Sequence, residues 1–221
     1  RATLPGTKCA PRPSVPSRMT LESSTPVLCL ASASPRRREL LWQIGVPHLV
    51  QPADLDERCA PQESPADYVA RLALAKAKAV HAARQGITPA LPVLGADTTV
   101  SIDGLILGKP ADLAQLRDML GRLSGREHEV WSAVALVSAG EPLWRLSCTR
   151  VRFRPLHSAE IERYWQSGEP CDKAGGYAIQ GLGAVFVERI EGSFSGVVGL
   201  PLAETAAMLV AAGVPLWQAG P

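Results

Sequence analysis

Several features that would place this 221-residue chain in a common class of proteins are missing. No stretch approaches the roughly 18 consecutive apolar residues of a membrane-spanning helix, so we do not expect an integral membrane protein. The 23 basic and 21 acidic residues nearly cancel, and the first 19 positions contain four of the basic residues and no acid. The remaining body lacks the strong positive field of a protein that binds nucleic acid by charge, so any anion site must be local.

Metal and disulfide patterns are missing too. The five cysteines are widely scattered without a CxxC pair, which argues against a disulfide framework and a zinc knuckle. The four histidines show no HExxH or other paired spacing, so we interpret each as structural. Because unpaired cysteines are typical of a reducing compartment, we expect a cytoplasmic protein.

The pattern of apolar residues predicts mixed helices and strands, and therefore an α/β fold in a single domain over residues 26–216. Strands are predicted over 27–31, 48–51, 91–102, 105–107, 129–137, 143–153 and 184–190, and helices over 35–44, 65–84, 113–123, 158–166 and 202–212. The proline-rich residues 1–25 lack the apolar middle segment of a secretory leader, and we expect them to form a disordered extension. Residues 217–221 are interpreted as a tail.

Polar and basic side chains crowd the segment between the first strand and the first helix. Ser32, Ser34, Arg36, Arg37 and Arg38 lie where the free N–H groups and the positive dipole end of a helix also favour an anion. Because guanidinium groups bind phosphate oxygens in pairs, this segment predicts a phosphate site, although the glycines of a Walker loop are missing. The alternative interpretation is that Ser34 only caps the helix and the arginines are solvated.

A lysine and an aspartate interrupt two apolar patterns. Lys76 lies on the apolar face of its helix, where it either extends along the stripe into water or projects into an anion-binding cleft. Asp97 follows an apolar strand, and a buried carboxylate needs a metal ion, a lysine or a water as its partner. Together with Asp56 and Glu57 it forms a candidate set of oxygen ligands for Mg²⁺. The alternative is that Asp97 caps a turn in a loop.

Two further segments are weaker signals. Lys109 lies in a tight turn after the hairpin at Asp103-Gly104, which alone indicates little. The glycine-rich segment 172–183 contains Tyr177 and Gln180, and the amide of Gln180 has the donor and acceptor needed to read the edge of a base. This segment is otherwise interpreted as a plain surface loop. Ser193-Phe194-Ser195-Gly196 lacks the G-x-S-x-G spacing of a serine hydrolase, which we therefore do not expect.

Taken in order, these segments resemble the Maf family of nucleotide pyrophosphatases. The resemblance covers nearly everything from residue 27 to 213, and eight ordered segments are far more specific than any one of them. They are LASASPRRRELL (30–41), DER (56–58), YVARLALAKA (68–77), GADTTV (95–100), GKP (108–110), GREHEVWSAVAL (125–136), DKAGGYAIQG (172–181) and IEGSFSGVVGLPLAET (190–205). One departure is Ala33, where the family often has glycine, and it should slightly stiffen the phosphate loop.

The resemblance implies hydrolysis of a nucleoside triphosphate between its α and β phosphates, with a divalent metal, Mg²⁺ or Mn²⁺. In that family pattern Asp97 matches the proton acceptor and Glu57 the acid that helps to hold the metal. The positions that match the residues holding the triphosphate are Ser32, Ser34, Arg36, Arg37, Lys76 and Lys109. The positions that match the specificity residues are Arg36, Thr98 and Gln180.

One branch of the family resembles enzymes that act on dTTP and UTP, and another resembles enzymes that act on 7-methyl-GTP. The stretch around Gln180 fits the first branch, because the second tends to carry a glutamate that suits a positively charged base. A neutral amide can pair with the O4 and N3–H edge of uracil or thymine, so we expect pyrimidine substrates. The alternatives are the 7-methyl-GTP branch and a nucleotide-binding regulator of septum formation.

The resemblance also implies an elongated mixed sheet flanked by helices, with two lobes and a central cleft, similar to inosine triphosphate pyrophosphatases. Family analogy favours a homodimer, although no residue in the sequence fixes one. No nucleic-acid polymer or membrane is expected as a partner, and the substrate is a nucleoside triphosphate.

Overall fold

A computed structural model of the protein describes residues 25–218. The strands are β1 (Leu28–Leu30), β2 (His48–Val50), β3 (Val93–Ile102), β4 (Leu105–Leu107), β5 (Glu127–Val137), β6 (Leu143–Phe153) and β7 (Val187–Glu191). The α-helices are α1 (Pro35–Gln43), α2 (Pro65–Ala83), α3 (Leu113–Leu123), α4 (Ser158–Gln166), α5 (Phe194–Val198) and α6 (Leu202–Ala211), and three short 3₁₀ segments cover Glu169–Asp172, Ala174–Gly176 and Leu182–Phe186.

All seven strands form one mixed sheet flanked by helices. The strand order is β2-β1-β3-β5-β6-β7, with β4 paired to β3. The β1 strand pairs in parallel with both β2 and β3, whereas β3 pairs antiparallel with β5, β5 with β6, and β6 with β7. This confirms the predicted α/β class and places β3 where the sheet changes from parallel to antiparallel pairing.

The buried apolar side chains of the described residues form four clusters. Leu30 and Leu41 pack with Met208 of α6 in one cluster. Leu116 and Phe153 belong to a second cluster beneath α3, α4 and the 3₁₀ segments. Within the described residues no helix is both long enough and apolar enough to cross a bilayer.

The structure corrects two predicted elements near the C-terminus. The strand predicted over 184–190 begins only at Val187, because residues up to Phe186 form a 3₁₀ turn. The segment predicted as a loop over 191–201 contains the one-turn helix α5, whose first amides are capped by Ser193. The predicted extension lies outside the described residues except for Thr25. In the predicted tail, the amides of Trp217 and Gln218 donate hydrogen bonds to carbonyls at the end of α1.

Helix α2 lies unusually close to the sheet because small residues line their contact. Ala73 and Ala77 of the helix pack with Ala133 and Ala135 of β5 in one buried cluster. At Gly95 of β3 a Cβ atom would lie only 2.2 Å from the carbonyl oxygen of Ala73 and 2.7 Å from the amide of Ala77. Only glycine permits this approach. It brings the turn of α2 that contains Lys76 close to Asp97 in the middle of β3.

We therefore expect Gly95→Ala to lower the free energy of unfolding by about 1–3 kcal/mol, because helix and strand must separate. Chemical denaturation measures this change directly. The matched control is Gly121→Ala in α3, where a Cβ atom would meet open space. That variant should instead gain about 0.5–1 kcal/mol, since alanine favours a helix interior over glycine. Equal effects of the two substitutions would contradict the close-approach argument.

Candidate active site

The structure brings ten of the candidate residues to one cleft of about 550 Å³. The cleft runs past the carboxyl end of β1, the start of α1, the middle of β3 and the glycine-rich segment after α4. Its walls include Ser32, Ser34, Arg36, Arg37, Glu57, Lys76, Asp97, Thr98, Lys109 and Gln180. Two other candidates, Arg38 and Asp56, do not line the cleft. The guanidinium group of Arg38 packs over the ring of Trp42, and Asp56 pairs with Arg58 at 2.6 Å.

Lys76 joins two carboxylates at the floor of the cleft. Its Nζ lies 2.7 Å from Oδ1 of Asp97 and 2.7 Å from Oε1 of Glu57. Lys76 and Asp97 are each only 7% exposed. The interpretation of Lys76 as a solvated residue at the edge of the stripe is therefore wrong. So is the interpretation of Asp97 as a loop residue, because it lies within β3.

The two carboxylates differ in their surroundings. Burial by itself would raise the pKa of the Glu57 carboxyl. The hydrogen bond and charge of Lys76, with the charges of Lys109 and Arg37, outweigh that effect and hold the pKa below its ordinary value. Glu57 thus stays ionised at neutral pH. In Asp97 the hydrogen bond from Lys76 engages Oδ1, and within the described residues Oδ2 has no hydrogen-bond donor. That oxygen is free to accept a hydrogen bond from a ligand or a water molecule.

The loop that carries Glu57 is tied to the start of α2. The hydroxyl of Tyr68 donates to the carbonyl oxygen of Glu57 at 2.9 Å. Arg71 donates to the carbonyl oxygen of Arg58 at 3.1 Å and pairs with Glu63 through two hydrogen bonds of 2.6 and 2.7 Å. These contacts fix the backbone of a loop that has no regular secondary structure. The contacts with Tyr68 and Arg71 therefore hold the backbone at Glu57 so that its side chain lies beside Lys76.

The start of α1 forms the second wall. Ser34 occupies the N-cap position, but its side chain makes no hydrogen bond to the helix, so the interpretation of Ser34 as only a cap is not supported. The Oγ of Ser32 accepts hydrogen bonds from the amide of Ser34 at 3.2 Å and from Arg37 at 3.1 Å. Hydroxyls, helix amides and guanidinium groups thus meet at one end of the cleft, as an anion site requires.

Arg37 makes more hydrogen bonds than the other arginines at the start of α1. Its Nε donates to the carbonyl oxygen of Gly199 at 2.8 Å, and its terminal nitrogens reach Ser32 and, at 3.5 Å, the Oγ1 of Thr98. Burial lowers its pKa from the ordinary value, while the charge of Asp97 acts in the opposite direction. A guanidinium group remains charged under these conditions. Arg37 therefore presents a fixed positive charge to the cleft.

Arg36 and the glycine-rich segment meet across the mouth of the cleft. Arg36 pairs with Asp172 at 3.2 Å, and Asp172 also pairs with Lys173. Burial would raise the pKa of Asp172, but the hydrogen bonds and charges of Lys173 and Arg36 lower it. Asp172 and Lys173 line the cleft, although neither was predicted as a site residue. The residues next to Asp172 in the sequence do not indicate that it pairs with Arg36 of α1, which is far away along the chain.

The segment that carries Gln180 is held by a buried aromatic group. The ring of Tyr177 packs edge-on against His128 and Phe153, and its hydroxyl lies 2.9 Å from Nε2 of His128. Burial lowers the pKa of His128 to about 4, so the ring is neutral at physiological pH. This agrees with the structural role predicted for that histidine. Gln180, three residues after Tyr177, is exposed at the cleft.

The cleft can hold a polyanion at one end and provide a carboxylate base at the other. Within residues 25–218, no three His, Cys, Asp or Glu side chains are arranged to bind a metal ion by themselves. Lys76 nevertheless engages only Oε1 of Glu57 and Oδ1 of Asp97, so each carboxylate has a second oxygen to offer. Mg²⁺ is commonly bound by one or two carboxylates together with substrate phosphates, so this donor set fits such an ion.

Comparison with known proteins gives one consistent result. A family model described as Maf-like protein matches residues 27–212. A dTTP/UTP pyrophosphatase from Hahella chejuensis is 54% identical over 191 residues, which cover 86% of this chain and 94% of the relative. Proteins of the same description from Nitrosomonas europaea and Bordetella pertussis are 52% and 54% identical, covering 85% and 88% of this chain and 95% and 97% of the relatives. The chain therefore belongs to the Maf-like protein family.

Proposed function

We propose that the protein is a nucleoside triphosphate pyrophosphatase that hydrolyses dTTP and UTP to the nucleoside monophosphate and pyrophosphate. One observation carries this proposal: a buried Asp97, paired with a lysine that also holds Glu57, faces the same cleft as the anion site at the start of α1. The names of the similar proteins support the choice of substrate. A protein that only binds nucleotide has no need of a carboxylate base beside its phosphate site.

Asp97 is the proposed proton acceptor. Its Oδ2 takes a proton from the attacking water, while Lys76 keeps Oδ1 in place. Water attacks the α phosphorus, the bond from that phosphorus to the bridging oxygen breaks, and the bridging oxygen leaves with pyrophosphate. Because negative charge grows on the leaving group, the positive side chains around the cleft favour this step most in its transition state.

The remaining polar residues bind the triphosphate. The hydroxyls of Ser32 and Ser34 and the amides at the start of α1 donate hydrogen bonds to its oxygens, and Arg36 and Arg37 add positive charge. Lys109 approaches from the opposite wall, where it is exposed in the turn after β4. Together with Lys76 these groups hold the chain of phosphates in one orientation relative to Asp97.

A divalent cation, Mg²⁺ or Mn²⁺, is proposed as the cofactor. Glu57 and Asp97 would hold it, with the substrate phosphates completing its ligands. When bound, such an ion withdraws charge from the phosphate oxygens and lowers the pKa of a bound water. The tie between Tyr68 and the backbone of Glu57 keeps that carboxylate in position for the ion.

The pyrimidine base of the substrate is proposed to lie against Gln180. An amide both donates and accepts, which matches the O4 and N3–H groups of uracil and thymine. These two bases differ by one methyl group, so discrimination between uracil and thymine should be weak, about 1–3 kcal/mol at most. Arg36 and Thr98 are the other proposed specificity residues.

The cytoplasm is the proposed location, in keeping with four free cysteines among the described residues. A homodimer is proposed on family analogy alone.

The test of the whole proposal is pyrophosphate release from dTTP, UTP, CTP, GTP and 7-methyl-GTP, each with and without Mg²⁺ or Mn²⁺. Metal-dependent turnover of dTTP and UTP above the purine nucleotides is expected. Preference for 7-methyl-GTP would move the protein to the other branch of the family. Binding of nucleotides without turnover of any of them would favour a regulator, such as one of septum formation.

Asp97→Asn should lower kcat for UTP about 100-fold or more, because the amide cannot accept the proton. Binding of UTP, measured by calorimetry, should remain. Asp118→Asn is the control, since Asp118 is exposed on α3 and pairs only with Arg122 in the described structure. Unchanged turnover in the Asp97 variant would refute its role as the base.

Glu57→Gln should raise the concentration of Mg²⁺ that gives half-maximal activity, about tenfold, because one charged metal ligand is lost. Titration of activity with Mg²⁺ at saturating UTP measures this. The control is Glu141→Gln in the exposed turn between β5 and β6. A metal requirement identical to that of the wild type would exclude Glu57 as a ligand.

Gln180→Glu should lower kcat/KM for UTP about tenfold or more, because the donor to O4 is replaced by an acceptor that carries charge. Gln166→Glu, at the exposed end of α4, provides a control with the same change of charge. If both variants retain the wild-type kcat/KM, Gln180 does not contact the base.

A further inference from the structure

Ser132 is a buried hydroxyl beside the cleft that the roles described so far do not use. It lies on β5 directly opposite Thr98 of β3 and is only 1% exposed. Its Oγ donates to the carbonyl oxygen of Gly196 at 2.6 Å and lies 2.9 Å from the Oγ1 of Thr98. Ser132 does not itself line the cleft, whereas Thr98 does. Any influence of Ser132 on the substrate must therefore pass through its partners.

The single proton of each hydroxyl sets the direction of this network. Ser132 gives its proton to Gly196, so the hydrogen bond between the two hydroxyls must be donated by Thr98. The other acceptor within reach of Thr98, the carbonyl oxygen of Gly199, is farther away at 3.3 Å and already accepts from Arg37 at 2.8 Å. The proton of Thr98 is thereby committed toward β5. Its lone pairs are left for Arg37, whose NH2 lies 3.5 Å away.

Ser132 also holds the backbone on the other side of Arg37. Gly196 belongs to the one-turn helix α5, which ends at Val198, and carbonyls in a last helical turn have no partner within the helix. The hydrogen bond from Ser132 satisfies one of them. Gly199 follows directly after this helix, and its carbonyl oxygen accepts from Nε of Arg37. Two of the three groups that orient Arg37 thus depend on the same serine.

We propose that Ser132 is a positioning residue for the triphosphate site, which keeps the guanidinium of Arg37 directed into the cleft through Thr98 and α5. This inference rests on the proposed function only in that the ligand is a phosphate chain. The effect of Ser132 should fall on phosphate binding, because Arg37 is a charge that the ligand meets in the ground state. Asp97 precedes Thr98 on β3, but its carboxylate is held by Lys76 of α2 and not by this network, so proton transfer at Asp97 should be little affected.

The first test is the kinetics of Ser132→Ala with UTP. KM should rise about five- to tenfold, the effect of one lost hydrogen bond, while kcat changes much less. The Ki of inorganic pyrophosphate as a competitive inhibitor should rise by the same factor. Ser147→Ala is the matched control, because Ser147 is a buried serine directly opposite Ser132 on β6 that does not line the cleft. It should leave both constants unchanged.

Two further comparisons separate positioning from a general loss of structure. Ser132→Thr keeps the hydroxyl and should have the KM of the wild type. Ser132→Val has the shape of the threonine variant without the hydroxyl, so its KM should rise as in the alanine variant. In an Arg37→Ala background, Ser132→Ala should have no further effect on KM, because the group it positions is gone. If the two substitutions act additively, or if kcat falls as much as kcat/KM, Ser132 does not act through Arg37.

Failure of the proposed function and failure of this inference give different results. If the wild-type protein hydrolyses no nucleotide, binding of pyrophosphate by calorimetry still compares the serine, alanine and threonine variants. Weaker binding in the alanine variant alone supports the inference whatever the activity. Equal binding in all three, with a stable fold confirmed by thermal melting, overturns it.

Discussion

The buried contact between Lys76 and Asp97 is the interaction on which the rest of the cleft depends. A charge inside a protein is costly unless an opposite charge and hydrogen bonds compensate it, and removing one partner of such a pair typically costs about 3–5 kcal/mol. Helix α2 must therefore lie where its lysine meets the aspartate of β3. Gly95 and the small residues facing it allow that approach. The same lysine then holds Glu57, so one cation organises both acids of the site.

The strands that flank β3 bring different groups of residues to the cleft. On the parallel side, β1 leads into the helix start that gathers hydroxyls, amides and arginines. On the same edge of β3 as β1, but at its other end, the hairpin to β4 leads to Lys109. On the opposite edge, β5 supports Thr98. The change of strand direction at β3 opens a cleft whose positive charges lie mostly along its walls and whose acids lie mostly at its floor. A polyanion bound by the walls is thus directed toward a carboxylate that its own charge would otherwise repel.

Local patterns predicted most elements and some residues of the cleft, whereas others, such as Thr98, were predicted only through the resemblance to the Maf family. The apolar stripe with one lysine indicated α2 and its exceptional residue, and the strand interrupted by an acid indicated Asp97. Contacts between distant segments were not predictable in this way. Nothing near Asp172 in sequence indicates a partner on α1, and Ser132 is one polar residue in an apolar strand whose partner on β3 depends on strand register. Helix α5 was missed because five residues with two glycines nearby have no clear helical period.

The anchoring of Arg37 determines when, during synthesis of the chain, the phosphate site can form. Arg37 and Gly199 are 162 residues apart, and Arg36 and Asp172 are 136 apart, so these contacts join the first and last parts of the fold. During synthesis, which proceeds from the N-terminus, the arginines emerge long before the carbonyl that orients them. A nascent chain that stops before α5 has the charges of a phosphate site but not their arrangement. Capture of nucleotide thus reports completion of the whole domain, and a ligand that stabilises the cleft stabilises the closure of the chain upon itself.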